Sequence, residues 1–135
     1  MARLARIVNP GYPHHVYQRG NRRQDVFFSD SDKMAYLGMI RKQAERYGLK
    51  VWAYCLMDNH VHFVAVSKET ESLARVFGEA HRRYTRMINF RMGWRGYLWQ
   101  GRFGSFPVDT KYLYNLVRYV ERNPVRARMV GRAED

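Results

Sequence analysis

At 135 residues, 46% hydrophobic and 27% charged, the chain has the length and composition of one folded domain, which excludes a disordered or low-complexity protein. Lys and Arg number 24 against 12 Asp and Glu, and the net charge of +12 exceeds what solubility requires, so a polyanionic partner is expected. No run approaches the roughly 18 to 20 apolar residues of a membrane span, no apolar stretch follows the N-terminal MARLAR, and the single Cys55 excludes an internal disulfide or a cysteine zinc cage. A soluble cytoplasmic protein with no membrane partner is expected. Of the cations 19 are Arg and five Lys, beside 15% aromatics including 10 Tyr. Arginine forks onto phosphate and aromatic rings stack on bases, so this mixture suits unpaired nucleic acid.

Residues 12–19, YPHHVYQR, read as a first strand, stopped by Gly20-Asn21 and followed by Arg22 and Arg23. In SDSDKMAYLGMIRKQAERYG either Ser29 or Ser31 caps a helix with Met34, Leu37 and Ile40 at helical spacing, and Gly48 ends it. LKVWAYCLM and HVHFVAV form two strands joined at Asp58-Asn59. SLARVFGEAHRRYTRMINFRMG is a second helix whose buried stripe is Leu73, Val76, Phe77, Ala80, Tyr84, Met87 and Ile88, with Arg82, Arg83 and Arg86 mostly off it. In RMGWRGYLWQGRFG, residues 91–104, four glycines predict the most mobile part of the chain. Its rings either close the core or meet a ligand, and Arg91, Arg95 and Arg102 are expected at nucleic acid. A short strand at GSFPV precedes DTKYLYNLVRYVERNP, a helix capped by Asp109 and stopped by Pro124, with Leu113, Leu116, Val117 and Val120 at i, i+3, i+4 and i+7. The order β-α-β-β-α-β-α predicts an α/β (α+β) ferredoxin-like fold over residues 1–135. An antiparallel sheet carries helices on one face, and a last helix is added.

Within CLMDNHVHFVAV, His60 and His62 are two apart, so on a strand both point to one face and Val61 and Phe63 to the other. Two imidazoles on one face can hold a metal ion. As core residues they would each need a buried hydrogen-bond partner beside FVAV, and the pair alone decides neither reading. On the last helix Tyr112, Tyr119 and Asn123 gather at one edge of the buried stripe, and Tyr119 and Asn123, four apart, are neighbours. Alone these would be an interface aromatic and a helix-end amide. His14, His15 and His81 are candidates to assist, and Cys55 reads as a small core residue.

HHVYQRGN, MDNHVHFV, LWQGRF and RYVERNPVRA, in that order, make the chain resemble the HUH single-tyrosine transposases, and within them the REP-associated tyrosine transposases. The resemblance covers almost the whole chain. It implies that His60 and His62 ligate a divalent metal, Mg²⁺ or Mn²⁺, and that Tyr119 attacks single-stranded DNA. Relatives often carry Gln four residues after the tyrosine as a further ligand; the matching Asn123, one methylene shorter, is the implied third ligand here. The resemblance also implies cleavage and rejoining near hairpin-forming DNA, in a bacterial, nucleoid-associated setting, by a monomer or a homodimer. The arginines expected to hold DNA are Arg19, Arg22, Arg23, Arg82, Arg83, Arg86, Arg95, Arg102, Arg118, Arg122 and Arg126, with Arg128 beyond them.

Elementary chemistry fits this role. A tyrosine hydroxyl with pKa of about 10 is a weak nucleophile at neutral pH, and a nearby cation favours the phenolate and polarises the phosphate. Two other readings stay open. One is a non-catalytic module that binds single-stranded nucleic acid, and the other a hydrolytic nuclease using metal-bound water. Tyr112 is the reserve nucleophile, and Tyr114 lies on the far edge of the helix.

Overall fold

The protein is described by a computed structural model covering residues 7–109, 111–113, 115, 116, 118 and 119. The elements are β1 (Pro13–Arg19), a 3-10 turn (Asn21–Arg23), α1 (Asp30–Tyr47), β2 (Leu49–Leu56), β3 (His60–Ser67), α2 (Ser72–Met92) and β4 (Gly104–Pro107). The described residues between 111 and 119 are helical and form α3. Tyr114, Val117, Val120, Arg122, Asn123, Pro124, Arg126 and Arg128 lie outside the described residues.

All strand pairs are antiparallel, in the order β2-β3-β1-β4. The helix after β1 and the helix after β3 each carry the chain to an outer strand, leaving β1 and β3 side by side in the middle. This is the ferredoxin-like α+β arrangement predicted from the element order.

Local chemistry sets the element ends. Ser29 caps α1, its hydroxyl accepting from the Asp32 N–H, while the Asp32 carboxylate accepts from the Phe28 N–H, a reciprocal box. Gly48, at φ 75°, ends α1 in the left-handed conformation that glycine adopts without penalty. The buried stripe of α1 agrees with the predicted one at Ile40, with Leu37 half-buried against the core. It runs through Asp32, Tyr36, Ile40, Gln43 and Ala44, while Met34 is exposed. Polar residues can hold that face because two of them have partners: Tyr36 Oη bonds His81 at 2.7 Å, and Arg91 clasps Asp32 through two 2.8 Å bonds. Arg91, expected at nucleic acid, is thus a structural ion pair between α2 and α1. In α2 the predicted stripe is buried apart from half-buried Met87, and His81 joins it.

The larger core lies between the sheet and α1 and α2, where Val16, Val61, Phe63 and Ala65 meet Tyr36, Ile40, Phe77 and Tyr84. Leu98, Trp99 and Phe103 close it, and Trp94 and Tyr97 face outward. Despite its glycines, the strap 96–101 is tied down. Asn21 N–H donates to Leu98 O, Gln100 N–H to Arg19 O, Gln18 Nε2 to Gly101 O and Asn89 Nδ2 to Gly96 O. On the opposite sheet face, α3 sets Leu113 and Leu116 against Ala53, Cys55, Val64 and Val108. Cys55 is core, as expected, but under α3. Among the described residues no helix is long and apolar enough to cross a membrane.

Candidate active site

The sheet face under α3 gathers the candidate site residues. β3 presents His60 and His62 there, and β1 presents His15, Tyr17 and Arg19, because the register sets Tyr17 opposite His62 and Arg19 opposite His60. Cys55 of β2 flanks His62 on the other side. Gly104 of β4 pairs with Tyr17, and the Tyr17 ring lies where a Cβ on residue 104 would stand, so any larger residue there would displace that ring.

Each imidazole has a neighbour that fixes it. The Nδ1–H of His60 donates to Asn59 Oδ1 at 2.8 Å, which leaves Nε2 with a free lone pair. Asn59 is itself held, since its Nδ2 donates to Arg23 O and its carbonyl accepts from the Gly20 N–H. His62 Nδ1 and His15 Nε2 share a 3.0 Å hydrogen bond, and the two rings stack at 5.2 Å between centroids. With the proton on His62 Nδ1, its Nε2 is also a free lone pair. The His60 and His62 rings stand edge to face at 5.1 Å. Burial lowers the pKa of His15 and His60, and burial together with the two neighbouring imidazoles lowers His62 to about 4. All three rings are therefore neutral at pH 7, the form that binds a metal.

The Tyr119 ring meets His62 edge to face, at 6.3 Å and 82°, and is 53% exposed. Tyr112 instead packs on Phe106 at 6.0 Å. α3 begins where Asp109 accepts from the Tyr112 N–H through Oδ1 and from the Leu113 N–H through its carbonyl. The Asp cap read from the sequence is therefore in place, and Leu113 and Leu116 beyond it set the face that aims Tyr119 at His62. Beside the histidines, a cleft of about 300 Å³ is lined by Tyr17, Arg19, Gln100 and Arg102 as well as His60 and His62.

Of the candidate helpers only His15 belongs here. His14 is fully buried on the helix side, its ring accepting from the Asn9 N–H and donating to Tyr12 O. His81 lies in the main core between Tyr36 and Trp99. Asn59 and Tyr17 went unrecognised in the sequence. The alternation in HHVYQ already set His15 and Tyr17 on one face, but which strand would lie beside that face is a long-range fact. Among the described residues, no group of three or more His, Cys, Asp or Glu side chains is placed to hold a metal, so His60 and His62 are a two-nitrogen donor set. Asn123 lies outside the described residues.

The family model described as "Transposase IS200 like" matches residues 10–123. The chain belongs to that family. Two solved structures share the fold of this chain. One, a REP-associated tyrosine transposase bound to a REP hairpin, is 20% identical, with a TM-score of 0.67 over 97% of this chain and 77% of that one. The other, a Deinococcus radiodurans protein described as a candidate transposase, is 18% identical, with a TM-score of 0.60 over 91% of this chain and 98% of that one. Among curated proteins no match is found.

The arginines of the chain fall into groups. Arg19 and Arg102 line the histidine cleft. Arg22 and Arg23 stand exposed on the 3-10 turn, with φ of 57° and 60°, an uncommon backbone for any residue but glycine. The turn is held by Arg23 N–H to Gly20 O and by Asn59 on Arg23 O. Arg82 and Arg83 share Glu79, whose carboxyl they hold at about 2. Arg86, Arg95 and Arg118 are exposed, and Arg122 and Arg126 lie outside the described residues.

Proposed function

We propose that the chain, as one HUH-type catalytic domain, is a metal-dependent single-strand DNA endonuclease and strand transferase that acts at hairpin-forming DNA through a 5′-phosphotyrosine on Tyr119. The observation that carries this is the Tyr119 ring seated against His62, over two neutral imidazoles whose Nε2 atoms can both be free. The donor set fits a divalent cation held by His60 and His62, with Asn123 as third protein ligand and DNA oxygens completing the shell. A mixed nitrogen and oxygen set is softer than the all-oxygen shell Mg²⁺ prefers, so Mn²⁺ should bind more tightly than Mg²⁺. When bound, the ion polarises the scissile phosphate and favours the phenolate form of a nearby tyrosine.

The chain's own residues supply the rest. Arg19 and Arg102, in the cleft beside the histidines, hold the phosphates flanking the scissile one. Tyr119 Oη bonds to phosphorus and loses its proton, the P–O3′ bond breaks, and the departing strand leaves with a 3′-hydroxyl. The 5′-phosphate stays on Tyr119, so a second 3′-hydroxyl can displace the tyrosine and reseal the strand without ATP. Hairpin DNA is supported as partner by the REP-associated tyrosine transposase whose fold this chain shares, which is bound to a REP hairpin.

Labelled hairpin DNA incubated with the protein and Mn²⁺ should yield an adduct that survives denaturation. Tyr119→Phe keeps the ring and loses only the nucleophile, so it should bind the hairpin like the parent and form no adduct. His60→Ala and His62→Ala should lose cleavage and keep most DNA affinity. Adduct formation by Tyr119→Phe but not by Tyr112→Phe would move the nucleophile. Cleavage by both variants would favour metal-bound water, and a parent that never cleaves would favour a binding module.

A further inference from the structure

A second cavity, of about 520 Å³, lies between α2 and residues 97–103, the strap and the two residues after it, on the helix side of the sheet. Its walls include Gln18 and Arg102, which also line the histidine cleft, so the two depressions adjoin across these side chains. Trp99 and Phe103 are part of the apolar floor, Arg86 and Arg102 stand at the rim, and Tyr97 lies at the mouth with 84% of its surface exposed. Among the described residues neither Arg86 nor Arg102 is paired with a carboxylate, in contrast to Arg82, Arg83 and Arg91.

From this placement we infer that the groove is a stacking subsite for an unpaired nucleotide, with its base on Tyr97 and its phosphates on Arg86 and Arg102. The inference rests on the reading of the histidine cleft as the place where a DNA strand is cut, and assigns where that strand goes next. Three features select an unpaired nucleotide over other anions. An exposed ring beside free guanidinium groups meets both halves of a nucleotide, its flat base and its charged backbone. A duplex keeps its base faces stacked inside and offers Tyr97 nothing to stack on. The platform is also preformed, because the hydrogen bonds from Asn21, Gln18, Gln100 and Asn89 hold the strap before any ligand arrives, so little ordering entropy is lost on binding.

Two labelled probes test this by fluorescence anisotropy: a blunt hairpin, and the same hairpin with a short unpaired extension, made on the 5′ side and on the 3′ side. Tyr97 is exposed, so Tyr97→Ala should fold with an unchanged melting temperature. It should bind one of the extended hairpins about tenfold or more weaker than the parent does, and the blunt hairpin equally well. Tyr97→Phe and Tyr97→Trp keep a stacking face and should bind like the parent. A 2-aminopurine in the extension should be quenched by the parent and much less by Tyr97→Ala. Equal losses on blunt and extended hairpins, or no loss on either extension, would overturn the subsite. If the parent ignores hairpins but holds an unstructured strand in a Tyr97-dependent way, the hairpin reading falls and the subsite stands. If the parent binds no DNA at all, both fall.

Discussion

His60 and His62 share a face by strand alternation, but different neighbours orient them, Asn59 from the adjoining turn and His15 from β1. Partners of this kind fix the tautomer of a ligating imidazole, and their loss weakens metal affinity by about 10- to 100-fold. Asn59→Ala should therefore raise the Kd for Mn²⁺ within that range in titration calorimetry, with the fold intact by circular dichroism. His15→Leu should do the same, and His15→Gln should recover much of the affinity, because its side-chain oxygen can still accept from His62 Nδ1–H. A full effect from His15→Gln would show that the ring stacking matters and the hydrogen bond does not. The pair was legible in the sequence because its spacing is two. The neutral state of the rings was not, because it depends on burial by residues distant in the chain.

At the scale of elements, caps and stops read well from sequence because they are local. Ser29, Gly48 and Asp109 act where they were expected to act. The exposure of Met34, the polar residues on the buried face of α1 and the ties of the strap were not legible for a common reason, that they depend on partners far along the chain. Tyr36 is buried because His81 accepts from it, and the glycine-broken strap is held by side chains of β1 and α2 and by backbone bonds to β1 and the 3-10 turn. Arg91 and Arg102 lie only eleven residues apart and separate the two kinds of arginine cleanly. Arg91→Ala removes the partner of an Asp32 that is 2% exposed and should lower Tm by a few degrees in a thermal melt, with hairpin affinity unchanged. Arg102→Ala should leave Tm alone and weaken hairpin binding. The reverse pattern would return Arg91 to the DNA-binding set.

For the whole molecule, the total of 24 Lys and Arg overstates the cationic surface a strand can use, because Arg82, Arg83 and Arg91 are held by Glu79 and Asp32. Affinity for a single strand should fall with salt at a log-log slope of about −0.7 per phosphate contacted. Arg102→Ala should make that slope shallower by about one contact, and Arg82→Ala should change it little. Acid acts through the core. Burial pushes His81 down to about 3, and Tyr36, whose own pKa burial raises, remains a proton donor to it. Below about pH 6.5 the unfolded chain protonates this ring and the folded chain does not, so stability is complete above that pH and is lost as the pH falls toward 3. In urea unfolding, the stability difference between neutral pH and about pH 4.5 should shrink in His81→Phe by on the order of 2 kcal/mol. An unchanged difference would place the acid sensitivity elsewhere.

The β2–β3 hairpin contains His60, His62 and Asn59 within one short stretch, whereas His15 reaches His62 across 47 residues of chain. Contacts close in sequence cost little loop entropy and tend to form early, and β1 docks onto the hairpin by a far longer closure. A partly folded chain with only the hairpin in place would already present both imidazoles and the first of their two supports. Such a species competes with the native state for metal, so added Mn²⁺ should raise Tm by less than its native-state Kd alone dictates.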